Sequence, residues 1–369
     1  MQSRALAGIG LTLSVACSMR ADFDATGFRC DLEERCPAGQ ACVDGFCSQA
    51  APVVDASVEP VDPVLAPWAA TSSLPEARDY NHQHAAAMNG HVYLIGGYGP
   101  ELAEVATVFY APANPDGTLA AWASTAALPE PRALSDVVVK DDVIYVIGGA
   151  NAAVARNSVY RAQVAGGGVI DEWIASSPLP LPLKAHGAVV AGDHVIVVGG
   201  GDDANLRRAE VFVARIQDGG ALGAWQATMP LPEPRANAGV VYEGGFLYVI
   251  GGDDEEEQSQ ATVLVAPVDP DSGEVGPWST GDPLPEARWA GTAAHDAGYL
   301  YFIAGTGASD SAQVLHAPIE ADGVTGAWQL DFSLPGPRRR HATAVLDGVF
   351  YVLGGTAGTE VLYADTPDP

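Results

Sequence analysis

Six cationic side chains recur through the chain at near-constant spacing. Arg78, Arg132, Lys184, Arg235, Arg288 and Arg338 each follow a Leu-Pro pair, from Leu74-Pro75 to Leu334-Pro335. The last of them opens the run Arg338-Arg339-Arg340-His341. Guanidinium groups gathered on one surface bind carboxylates in a fork-like geometry, so a polar or carboxylate-bearing ligand is within their chemistry. Acidic and aromatic residues fall between them: Tyr98, Glu101, Asp202, Asp203, Asp253, Asp254 and on to Glu257, and Asp310. A basic residue present in every unit is more often a brace, pairing with a carbonyl or an acid of the next unit. Arg339 and Arg340 break the repeat pattern and are the stronger ligand candidates. His82, His84, His186 and His341 stand at the starts of apolar runs, where packing is the expected role.

Other chemistry is poorly supported. The acidic run from Asp253 could offer oxygens to a calcium ion, but a solvated loop is the better account of it. Asp269-Pro-Asp271-Ser-Gly273 lacks the later bidentate glutamate of a calcium loop and reads as a turn. No His-Glu-x-x-His, Gly-x-Ser-x-Gly or Gly-x-x-x-x-Gly-Lys pattern occurs. No metal and no cofactor is expected. The formal net charge of −28 would repel nucleic acid and anionic headgroups, so neither is an expected partner.

The elements that must position these residues follow from the repeat. Gly96-Gly97, Gly148-Gly149, Gly199-Gly200, Gly251-Gly252, Ala304-Gly305 and Gly354-Gly355 lie 52, 51, 52, 53 and 50 residues apart. Trp68, Trp122, Trp173, Trp225, Trp278 and Trp328 keep the same interval. Within the last unit, His341–Leu346 reads as a strand, Asp347-Gly348 as a tight turn and Val349–Leu353 as a second strand. A third strand follows the glycine pair, as at Val108–Pro112, and a fourth bears the tryptophan. Four antiparallel strands per unit, repeated six times with no helical stretch, predict an all-β fold: a six-bladed β-propeller of four-stranded antiparallel blades over residues 67–369. The first tryptophan strand precedes the first full unit. The segment Pro67–Ser72 is therefore expected to complete the last blade and remove an open edge. Ala304 makes the bend of the fifth unit the least certain.

The glycine pair, the aromatic strand and the spaced tryptophan resemble the kelch repeat, and the resemblance extends from Pro67 to Ala364. The "Ala-Pro" of the third strand and the "Leu-Pro-x-x-Arg" closing look like a bacterial, exported branch of kelch proteins. The resemblance implies that the loops after the glycine pair and those before the first strand open on one face, which would gather the basic and acidic residues named above. It implies non-catalytic recognition of an unidentified protein or glycan. The alternative is an envelope sugar isomerase or mutarotase working in the central funnel. Kelch-like copper oxidases need a cysteine in the propeller, and this region has none.

The amino terminus is of another kind. Residues 1–16 read as an export signal with an apolar run too short to span a bilayer. Cys17 resembles the lipid-attachment cysteine of bacterial lipoproteins, which implies an outer-membrane or cell-surface location in a Gram-negative cell; a plain signal peptide is the alternative. The lipid at Cys17 would be the sole membrane contact. Residues 17–27 would form a tether. Cys30, Cys36, Cys42 and Cys47 fall in residues 28–47, a small disulfide-rich module with two bridges of undetermined pairing; a zinc site is the rival. Residues 48–66, rich in Ala, Pro, Val and Asp, would be a semi-extended linker.

Overall fold

The computed structural model describes residues 40–43, 46–49, 65–79 and 84–366. The chain divides into two units, Met1–Asp62 and Pro63–Pro369. In the first, Gln40–Val43 pairs antiparallel with Phe46–Gln49, which sets Cys42 opposite Cys47 in register. The export signal, Cys17, Cys30, Cys36 and His82 lie outside the described residues, as does most of the expected linker.

The second unit is a six-bladed propeller. Blade one consists of Ala85–Met88, His91–Ile95, Val108–Pro112 and Ala123–Thr125, each hydrogen-bonded to the next. The same meander begins again at Asp136, Gly187, Gly239, Thr292 and Ala342. The expected ring closure is present: Ala69–Ala70 pairs with Val361–Asp365 and supplies the fourth strand of blade six. Leu65, expected in the linker, belongs to the propeller. It is fully buried, and its amide donates to Asp331 Oδ1 at 3.0 Å.

Second strands such as Val143–Ile147 are apolar without alternation, because both their faces are covered by neighbouring blades. The core is accordingly split into six clusters, each between two adjacent blades. The six regularly spaced tryptophans sit just before the fourth strands rather than within them. Every one donates its indole N–H to a carbonyl of the preceding blade, as Trp173 does to Ala126 O at 2.9 Å and Trp68 to Phe332 O at 2.8 Å. A second set of ties runs from the second strand: Tyr93, Tyr145, Tyr248 and Tyr351 donate their hydroxyls to Gly168, Gly220, Gly323 and Gly117 of the following blade.

The glycine pair marks the closest approach of neighbouring backbones. A Cβ on Gly96 would lie 2.5 Å from Arg132 O, while Gly97 N donates to that same carbonyl at 2.7 Å. Blade five keeps the bend with Ala304 at φ 55° and Gly305 N on Arg338 O at 2.9 Å. The alanine is accommodated in the left-handed region, which costs an L-residue roughly 1–2 kcal/mol.

Candidate functional site: the loop-bearing face

Five of the six recurring basic residues are internal braces. Arg78, Arg132, Arg235, Arg288 and Arg338 are at most 3% exposed. Arg78 donates through Nε to Gly96 O at 3.1 Å; Arg132 and Arg235 donate through Nη1 to Gly148 O at 2.6 Å and Gly251 O at 3.0 Å. An acid completes each brace: Glu76, Glu130, Glu233 and Glu286 two residues earlier, and Glu360 for Arg338. Arg78 and Arg132 also lie over the rings of Phe109 and Tyr160, 5.1 and 5.5 Å from the centroids. Burial lowers the pKa of Arg78 and Arg132 from the ordinary arginine value, with the neighbouring acids opposing that shift.

Lys184 does not occupy the sixth brace position. Leu183 does: its carbonyl receives Gly149 N at 2.7 Å, as Arg132 O receives Gly97 N. Leu183 is fully buried among apolar neighbours. Lys184 stands one residue further on, half-buried at the rim and paired through its backbone with Gly201. The homologous rim positions are Asp79, Ala133, Ala236, Trp289 and Arg339, by the same pairing with the loop that follows the glycines.

One residue later the chain turns through the left-handed region in blades two to six, at Leu134, Ala185, Asn237, Ala290 and Arg340. These residues form a main-chain hoop. Ala185 N donates to Leu134 O, Asn237 N to Ala185 O, Ala290 N to Asn237 O and Arg340 N to Ala290 O, at 2.8 to 3.1 Å. Arg340 thereby comes over Trp289, 5.9 Å from the ring centroid. Arg339 pairs with Asp310 at 3.1 Å. His186 and His341 directly follow the hoop residues Ala185 and Arg340, and both they and His84 are buried. His84 Nδ1 donates to Ile95 O at 2.8 Å and Nε2 accepts Ser135 N at 3.0 Å. Burial pushes His84 down to about 4 and His186 to about 3. His341 Nε2 meets Thr292 Oγ1 at 2.8 Å.

The acidic residues expected on this face spend many of their oxygens on the loops themselves. Asp202 Oδ1 accepts Ala204 N and Leu206 N at 2.9 and 3.1 Å. Asp203 accepts Ala155 N of the previous blade. Asp253 is buried, pairs with Arg207 of the previous blade and accepts Asn237 Nδ2 at 2.7 Å. Desolvation pushes its pKa up, against the pull of Arg207. Asp254 accepts the amides of Glu256 and Gln258 at 3.1 and 2.8 Å. Tyr98 is half-buried, its backbone bridged to Asp79 and Glu104. Glu104 in turn accepts Ala153 N at 3.0 Å. The loops after the glycine pairs of blades one to four are thus linked in series.

The sequence reading omitted three residues of this rim. Leu102, Val154 and Leu206 are 55%, 44% and 54% exposed at the tips of the same loop in blades one, two and three. Their signal was an aliphatic residue inside an otherwise polar loop. The central channel is different in character. Its wall is made of first-strand residues such as Ala87, Val139, Val190, Ala293 and Val345, with Thr343 and His295 as polar members. Arg78, Arg132 and Arg235 instead reach the glycine bends within the blades.

A kelch-repeats domain model, described as KLHDC2/KLHL20/DRC7, matches residues 185–366. β-Scruin of Limulus polyphemus is 27% identical over 237 residues, 59% of this chain and 24% of the relative. Kelch-like protein terF of Aspergillus terreus is 26% identical over 295 residues, 74% and 60%. Mouse Kelch-like protein 35 is 27% identical over 209 residues, 56% and 32%. The alignments thus cover less than two thirds of these curated relatives. Among solved structures, "Structure of YjhT" superposes with a TM-score of 0.63 at 16% identity, over 80% of this chain and 95% of that one, a likeness of fold. Repeats and blade topology make the chain a six-bladed β-propeller, and its sequence is similar to that of kelch-repeat proteins.

Proposed function

We propose that the propeller is a non-catalytic binding module that recognises a protein through the face bearing the loops after the glycine pairs. One observation carries this reading. The repeat-bound residues are committed to bracing, whereas the residues that differ from blade to blade collect on loops tied together by inter-blade hydrogen bonds. Loops held on a rigid scaffold are where recognition concentrates. Similarity to kelch-like proteins supports a protein partner; a glycan on the same face is the other class. The amino-terminal pattern supports an exported protein held at the cell surface by lipid at Cys17, with residues 28–47 as a disulfide-stapled module.

The test is capture from a cell-envelope extract by the propeller, by a rim variant (R339S/R340S with Glu255, Glu256 and Glu257 changed to Ser) and by an opposite-face variant (D116S/D193S). A protein held by the wild type and the opposite-face variant but lost by the rim variant is the expected result. Equal capture by all three overturns the reading. Arg338 is left in place because it is a buried brace.

A further inference from the structure

Four consecutive loops of the face, residues 98–107, 150–158, 201–210 and 253–262, carry ten acids and three arginines. All three arginines are engaged within the protein. Arg156 faces Glu130 at 3.9 Å, Arg207 pairs with Asp253 and lies 3.6 Å from Glu257, and Arg208 pairs with Glu210 at 3.2 Å and Asp202 at 3.7 Å. Glu101, Glu255 and Glu256 remain exposed. Leu102, Val154 and Leu206 are exposed on the first three of these loops. The loops are fixed relative to one another by Glu104 to Ala153 N, Asp203 to Ala155 N and Arg207 to Asp253. Several tip residues are held in the left-handed region without being glycine: Glu101, Leu102, Ala152, Ala153, Asn205 and Glu257. Such backbone strain persists where the surroundings over-determine it.

From this we propose that the rim of blades one to four docks a cationic polypeptide segment bearing aliphatic side chains. This rests on the binding reading above and names the partner's chemistry. The exposed aliphatic tips offer apolar contact that water does not reward, and the surrounding carboxylates attract lysine and arginine while rejecting acidic chains. Because the tips are pre-positioned, little ordering cost falls on the propeller.

The probes are three labelled 15-residue peptides, of lysine, leucine and serine; of lysine and serine; and of glutamate, leucine and serine, titrated against the full chain by fluorescence anisotropy. The Lys/Leu/Ser peptide is expected to bind most tightly and to weaken at least fivefold between 50 and 200 mM salt, on the order seen when a few charge contacts are screened. L102S/V154S/L206S is expected to weaken it tenfold or more, and E255Q/E256Q/E257Q to flatten the salt dependence. I174S/L330S, on outer strands, serves as the control and is expected to bind as wild type. All these positions are exposed, so melting curves should coincide. Equal binding of the glutamate peptide, or undiminished binding by the loop-tip variant, overturns the proposal. So does concentration-dependent self-association abolished by the loop-tip variant, which would make a second copy the occupant. If envelope capture still depends on the rim while these peptides fail, the charge assignment falls and the binding face stands.

Discussion

At the scale of single residues, the recurring arginine is a structural part that resembles a binding part. Each guanidinium satisfies a carbonyl at the glycine bend or an acid beside it, deep enough that a substitute must leave polar groups unpaired. R132M should therefore cost about 2–4 kcal/mol, because Gly148 O and Glu130 both lose their charged donor while the aliphatic stem is kept. Urea unfolding measures it, and a loss under about 0.5 kcal/mol would show that the brace is dispensable. The same scale shows where reading by residue type fails. Lys184 was aligned with the arginines by charge, yet counting four residues from Leu179 lands on Leu183, and the structure follows the count. Apolar packing replaces the ion pair in that blade. The exposed aliphatic tips escaped notice for a related reason: one leucine in a polar loop carries no period, and its neighbours in space are about fifty residues away.

At the scale of elements, strands were legible and loops were not. Apolar runs, turn residues and glycine pairs are local signals, so strand order and the closing of blade six from the amino-terminal side could be read directly. Loop order depends on contacts between carboxylates and amides 48 or 49 residues distant, as at Asp203 with Ala155 and Glu104 with Ala153. The closing strap is the element most open to test. Beyond Ala69–Ala70 it contributes Leu65, the bond from Leu65 N to Asp331, and the Trp68 tie to Phe332. Tyr301 lies at this seam, and among the described residues its hydroxyl finds no counterpart of the glycine carbonyl that the other four tyrosines meet. A chain starting at Thr71 should lose at least about 3 kcal/mol, from one buried leucine and several hydrogen bonds. Scanning calorimetry would show a lower melting temperature; an unchanged one would mean that the seam closes without the strap.

At the scale of the whole molecule, stability is spread over six similar inter-blade cores, and its pH dependence is set by a few buried groups. His84 and His186 are held to about 4 and about 3 by burial. The unfolded chain takes up these protons near pH 6.5, before the folded chain does. Their neutral burial is thus without penalty above that pH and becomes costly as the pH falls toward 4 and then 3. Between pH 7 and 5 the loss should approach about 2 kcal/mol per histidine. Asp136 acts in the opposite sense, since burial raises its pKa and favours the protonated form in the fold. A melting temperature that falls from pH 7 to 5, and falls less in H186L, is the expected outcome; a flat profile would contradict it.

The outermost strand of every blade is two or three residues long, from Ala123–Thr125 to Gln329–Leu330. So short a border offers a neighbouring molecule almost no free main chain on which to extend a sheet. Many copies can therefore be crowded side by side without templating fibrils, although strands supply nearly all of the propeller's regular secondary structure among the described residues.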